Sequence, residues 1–191
     1  MTCAAVTRIT AQLKAQYGLV SAGAFPPHAT LAGSLPVQVS EAAFGRALAR
    51  VLATVRAFPV QNSGIRRLGT GVIVYDLHDL DDRPNTRLRE LAATVDAVVR
   101  PLLAPTSSLA PDTYAPGRWR AHLSLASHEL YERSDLRDEV EQYVRGLAIE
   151  HPRSFVADTV ALYRFTEDSW TGQWWRTMRW EHLRSWRLRS D

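Results

Sequence analysis

A chain of 191 residues with 46% hydrophobic content can bury a substantial core, and a formal charge of +3 is too small to support tight binding to long nucleic acid. One cysteine, Cys3, excludes an internal disulfide and a cysteine-based zinc site. No apolar stretch approaches the length of a membrane span, and the first residues lack the apolar core of a secretion signal. The expectation is a soluble, cytoplasmic protein without membrane contact.

The first apolar period, Ile9, Leu13 and Tyr17, marks a helix over about 7–17. Phe25-Pro26-Pro27 cannot propagate a helix, so a strand is expected through His28-Ala29-Thr30-Leu31-Ala32. Ser40 then reads as the N-cap of a helix with Phe44, Leu48, Val51, Leu52 and Val55 on one face. Two strand-like stretches follow, about 58–67 and about 71–77. The cluster His78-Asp79-Leu80-Asp81-Asp82 is acidic, but it precedes a helix over about 84–102 with Pro84 in its first turn. Capping and dipole complementarity therefore explain it better than a bound cation. Residues 103–117 are long for an internal connection and read as a surface loop, with gating of a cleft as the alternative. A second strand is expected at His122-Leu123-Ser124-Leu125-Ala126. Ser134 then caps a helix carrying Leu136, Val140, Tyr143, Val144 and Leu147. Strand-like stretches over about 154–165 and about 173–182 close the chain.

The two expected strands share one phrase, H-x-[ST]-L-A, at His28 and at His122, 94 residues apart. None of the other four histidines has a hydroxyl residue at the second following position. On a strand, positions i and i+2 project to the same face, so each histidine travels with its Thr30 or Ser124 while leucine and alanine pack behind. The surroundings repeat as well. A helix precedes each motif, a serine lies twelve residues after each histidine, and a helix and two strands follow. This pattern implies an α+β fold of two pseudo-symmetric lobes in a single domain, 1–191, each lobe a small antiparallel sheet backed by helices. The lobe with the first motif takes about 1–70 plus the C-terminal strand, and the lobe with the second about 71–165. An approximate two-fold axis would point the two motifs at each other across a central cleft.

Two histidines and two hydroxyls suit phosphodiester chemistry. Imidazole titrates near neutrality, so one ring can act as base and its partner as acid. Thr30 and Ser124 can donate to phosphate oxygens where charge develops. A catalytic zinc usually takes three protein ligands, and the H-x-T spacing supplies no third, so no metal or cofactor is expected. Phe25 and Trp119 each precede a motif histidine by three residues; together with Tyr163 and Phe165 they are possible substrate-lining rings. Arg118 and Arg120 flank Trp119 and read as exposed strand-edge charges, with contact to a phosphate as the alternative. Lys14 is the sole lysine among 23 basic residues. Genome composition is the leading explanation of the bias, which also permits an acidic substrate, since arginine binds phosphate bidentately. The run Arg176, Arg179, Arg184, Arg187, Arg189, interleaved with Trp175, Trp180 and Trp186, reads as core aromatics and solvated charges, with a nucleic-acid surface as the alternative.

The paired motifs, the Phe25-Pro26-Pro27-His28 approach and the late Leu162-Tyr163-Arg164-Phe165 strand resemble the 2H phosphoesterase superfamily, most of all its bacterial 2′-5′ RNA ligase-like and cyclic phosphodiesterase branch. The resemblance implies a two-lobed fold with both motifs in a cleft. It implies a substrate that is a nucleotide or RNA end with a 2′,3′-cyclic phosphate or 2′-5′ linkage, and no obligate protein partner is evident. By motif matching, His28 and His122 are the catalytic histidines, and Thr30 and Ser124 the phosphate-binding hydroxyls. The family's RNA ligase-type members usually carry threonine in both motifs, whereas the second motif here has Ser124. Alternatives are reversible 2′-5′ RNA ligation and a non-catalytic module that binds nucleotide or RNA ends. No ATP-binding loop of the G-x-x-x-x-G-K-[ST] type occurs, which disfavours an energy-consuming ligase.

Overall fold

The computed structural model describes residues 2–78, 81–104 and 114–190. The elements are α1 (Thr2–Tyr17), α2 (Glu41–Leu52), β1 (Phe58–Gln61), β2 (Gly64–Leu68), β3 (Val72–Asp76), α3 (Thr86–Val99), β4 (His122–Ala126), α4 (Glu129–Glu132), α5 (Arg137–Gly146), β5 (Ser154–Ala157), β6 (Thr159–Thr166) and β7 (Arg179–Arg187). All strand ladders are antiparallel: a three-stranded sheet β2-β3-β4 and two ribbons, β1-β5 and β6-β7. Mixed helices and antiparallel sheets make this an α+β fold.

The central sheet positions the second motif. β3 lies between β2 and β4, and Ile73, Val74 and Tyr75 are fully buried, as a middle strand with both faces covered requires. α1 packs on β4 through its buried Val6, Ile9 and Leu13, and α5 packs on β2. The two helices meet where the Tyr17 hydroxyl donates to Glu139 at 3.0 Å and its ring sits edge-on to Tyr143. α2 packs on α3 and β7. One apolar core runs from Val6 to Leu188 and takes residues from both halves of the chain. The division expected near residue 70 falls in the β2–β3 turn, and β1 of the first half pairs with β5 of the second.

Several local expectations are corrected. The stretch 58–67 is two strands, because Gly64 sits at φ +107 and its N–H donates to the Asn62 side chain, turning the chain between β1 and β2. The stretch 154–165 is likewise broken at Asp158, whose carbonyl accepts from the Leu188 N–H. Ser40 does cap α2, accepting from the Ala43 N–H, but Ser134 caps nothing. It opens a 3-10 turn, and the chain enters α5 from Leu136, with Asp138 and Glu139 supplying negative charge to the first turn. Pro84 lies outside α3; Asn85 is the cap, accepting from the Leu88 N–H at 3.0 Å. The acids before it bind arginines instead: Asp81 pairs with Arg83, and Asp82 with Arg66 and Arg120. Asp79 and residues 105–113 of the expected 103–117 loop lie outside the described residues. No described helix is long and apolar enough to cross a membrane.

Candidate active site

The second motif occupies β4 as its spacing predicts. Leu123 and Leu125 are buried behind it, while His122 and Ser124 share the half-exposed face. Directly opposite on β3 stand Asp76 and Val74, paired with His122 and Ser124. The His122 Nδ1 lies 2.8 Å from the Arg120 carbonyl. A carbonyl only accepts, so Nδ1 carries the proton, and Nε2 is left free.

The first motif departs from its expectation. Residues 28–30 are not a strand but part of an irregular segment between α1 and α2. Pro26 and Pro27 have no N–H to give to a ladder, and Ser34 at φ +50 turns the chain away. Ala29, Leu31, Ala32 and Leu35 anchor the segment by packing against the core. Even so, the ring is fixed in the same way as its counterpart. The His28 Nδ1 lies 2.7 Å from the carbonyl of Pro26, again two residues back, so here too Nε2 is the free nitrogen. No described group hydrogen-bonds either Nε2, the Thr30 hydroxyl or the Ser124 hydroxyl.

Electrostatics connect the motifs. Burial among surrounding protein atoms pushes the His28 pKa below the ordinary 6.5, its bond to Pro26 opposes that, and the charge of His122 lowers it further. That last contribution couples the two motifs electrostatically. The His28 side chain is nevertheless exposed to solvent at its surface.

Two buried carboxylates brace these segments, and neither was apparent in the sequence. Asp76, fully buried, accepts from the Arg120 Nε at 3.0 Å and from its second nitrogen at 2.5 Å, and lies 3.1 Å from the Arg66 Nε. Arg120 is thus no strand-edge charge: its guanidinium is clamped by Asp76 and Asp82 while its carbonyl orients His122. The ion pair with Asp76 holds the Arg120 guanidinium pKa above its already high value. His78, also buried, lies 3.3 Å from Asp76 without hydrogen-bonding geometry, and burial lowers its pKa. The signal in the sequence was an acid at the end of the apolar run Val72-Ile-Val-Tyr-Asp76, since a buried carboxylate needs a cationic partner.

The second brace is Glu129. Its Oε1 accepts from the backbone N–H groups of Val20 and Ser21 at 2.7 and 2.8 Å, and its Oε2 from the Ser21 hydroxyl. With that proton committed, the Ser127 hydroxyl is the donor in its 2.9 Å contact with Ser21. Residues just before the first motif are thereby pinned to residues just after the second. No spacing rule announces this contact, which spans 108 residues.

The expected lining rings divide. Phe25 is beside the site, its centroid 5.9 Å from that of His28. Trp119 packs against the core and edge-on to Tyr114. Tyr163 lies a step further out, reaching Phe25 only through Phe165 (6.3 and 5.2 Å between centroids). Trp174, missed in the sequence, also meets Phe25 at 6.0 Å and His128 at 4.9 Å. Two surface hollows, one lined by Arg56, Phe58, Asn85 and Arg87 and one by Thr166, Glu167, Thr177 and Arg179, contain no motif residue. Among the described residues no three His, Cys, Asp or Glu side chains are grouped to hold a metal ion.

No curated protein matches the chain significantly. A family model described as the 2′-5′ RNA ligase superfamily matches residues 2–169, a stretch that contains both H-x-[ST]-L-A motifs, both braces and Phe25. The chain belongs to this superfamily, the enzymatic 2H phosphoesterases.

Proposed function

We propose that the chain is a metal-independent phosphodiesterase that hydrolyses 2′,3′-cyclic phosphates or 2′-5′ linkages of nucleotides and RNA ends, with His28 and His122 as its acid–base pair. What supports this most is the matched tethering of the two imidazoles: each Nδ1 is tied to the carbonyl two residues back, and each Nε2 is left for chemistry. A module that only bound nucleotides would need no such matched pair.

His28, whose pKa is lowered by burial, is neutral at physiological pH and suited to be the base in ring opening. Its Nε2 takes a proton from water as the water oxygen attacks phosphorus. The bond from phosphorus to one ribose oxygen breaks, and the His122 Nε2–H gives that oxygen a proton. The product is a phosphomonoester with a free neighbouring hydroxyl. Solvent then resets both rings. Thr30 and Ser124 donate to the non-bridging oxygens as negative charge accumulates there. The Arg66 and Arg120 guanidiniums lie near the His122 face but are already neutralised by Asp76 and Asp82, so the hydroxyls are the phosphate donors.

The test is a substrate panel of 2′,3′-cyclic mononucleotides, 2′-5′ dinucleotides and cyclic-phosphate RNA ends, assayed with and without chelator. We expect turnover of at least one class, unchanged by chelator, with a bell-shaped pH profile. Binding without turnover across the panel would sink the enzyme reading, and activity lost in chelator but restored by zinc would sink the metal-free mechanism.

A further inference from the structure

The aromatic rings beside His28 do not stop at the site. Phe25 touches Phe165 on β6, Phe165 lies 6.3 Å from Tyr163, and Tyr163 meets Trp180 and His182 of β7, each at 5.4 Å. The register accounts for the continuity. Phe165 pairs with Trp180 and Tyr163 with His182, so all four rings stand on one face of the β6–β7 ribbon. The opposite arrangement holds nearer the ribbon's other end, where Val160, Leu162 and Trp186 pack into the core. The register shift between Leu162 and Tyr163 is where the ribbon changes from a core-packed to a solvent-facing aromatic surface. Trp180 is 45% exposed, an unusual position for the largest apolar side chain. Arg179 and Arg184 of the same strand belong to its other face: Arg179 is the strand neighbour of Trp180, and Arg184 pairs with Leu162 and lies against Gly45 of α2. Trp180 and His182 lie beyond the stretch that the family model matches.

We propose that the solvent-facing ring surface of β6–β7, centred on Tyr163 and Trp180, binds the base of a second nucleotide, so that the chain is built for single-stranded RNA ends over mononucleotides. This rests on the phosphodiesterase reading. Flat rings take any base on their π-faces, and successive stacking on such rings holds single strands without sequence readout. An aliphatic face would serve a protein partner as well; an unbroken line of rings leading from His28 matches a chain of bases leaving a reacting phosphate. The modest charge of the protein fits a short contact of one or two nucleotides.

Binding is measured without turnover, by fluorescence titration with a 3′-phosphorylated RNA trinucleotide and with the corresponding 3′-mononucleotide, on the full chain. The trinucleotide should bind about 5- to 150-fold more tightly, the range for one added base–aromatic stack. Trp180→Leu, which keeps an apolar side chain, should remove most of that advantage and leave mononucleotide affinity and the melting temperature unchanged. Equal affinity of the two ligands for the wild-type chain would overturn the proposal whether or not the variant folds. Trp180-dependent dimers in light scattering, with no trinucleotide preference, would also overturn it by assigning the face to a second copy. Because no catalysis is read, loss of the enzyme reading shows separately in the substrate panel.

Discussion

The two H-x-[ST]-L-A segments have the same residues and differ in backbone. The second is a strand, its histidine set by register against β3 and by an arginine carbonyl that Asp76 holds in place. The first has no ladder among the described residues; its proline-rich approach is set by apolar packing and by Glu129 reaching across from the second motif. Yet both rings arrive with Nδ1 on the carbonyl two residues back and Nε2 free. What the motif encodes is thus a local side-chain tether, which either backbone can carry. The strand was only one way of making it, and the first segment replaces hydrogen-bonded rigidity with a long-range carboxylate clamp.

If the two rings divide the acid and base work, the comparison ends in symmetry at the chemical step. His28→Ala and His122→Ala should each lower kcat by about 10²–10⁴-fold, the range for one general acid or base. Neither should shift the melting temperature much, since each ring makes one hydrogen bond and neither belongs to the apolar core. Steady-state kinetics with unfolding curves reads both. A variant retaining near-full turnover would remove its histidine from the mechanism.

The supports should break unequally. Asp76→Asn removes the charge that two guanidiniums share in a buried position, at a cost of about 3 kcal/mol, the lower end for breaking such a pair because Arg120 and Arg66 keep some solvent. Glu129→Gln loses charge-assisted bonds to two N–H groups and a hydroxyl, about 2 kcal/mol. Hydrogen exchange should separate them further. Asp76→Asn should loosen amides in β3 and β4, and Glu129→Gln those around residues 20–30. If both variants loosened the same segment, the two motifs would have one common support, and the distinction drawn above would fail.

How far the sequence discloses this arrangement follows from what each feature depends on. Helices α1, α2 and α3 were legible from apolar periods, because the face a helix buries repeats every three to four residues. The hydroxyl at the second position after His122 was legible for the same kind of reason, the two-residue period of a strand. The first motif reads as a strand because its pattern is identical, while the deciding facts, two prolines without donors and no ladder for residues 28–30 among the described residues, are a matter of tertiary surroundings. Arg120 was misread because its acid, Asp76, lies 44 residues away in sequence and meets it only through β3–β4 pairing. Glu129 was invisible, since nothing local marks a carboxylate destined for the backbone of residues 20 and 21.

The finest test of the comparison is whether the rings sense each other. His28, His78 and His128 all have pKa values lowered chiefly by burial, so the folded chain binds fewer protons there than the unfolded one. Stability should accordingly decline as pH falls below about 6.5, where unfolded imidazoles take up protons that the folded ones resist. Only at His28 does the other motif contribute, through the positive charge of His122. In His122→Gln that repulsion is gone, and the His28 titration followed by NMR should move upward, while those of His78 and His128 stay where they are. The shift should be small, because burial is the larger cause and remains. A His28 titration indifferent to His122 would mean that the imidazoles do not share a site, and the acid–base pairing would have to be abandoned even if each single variant were inactive.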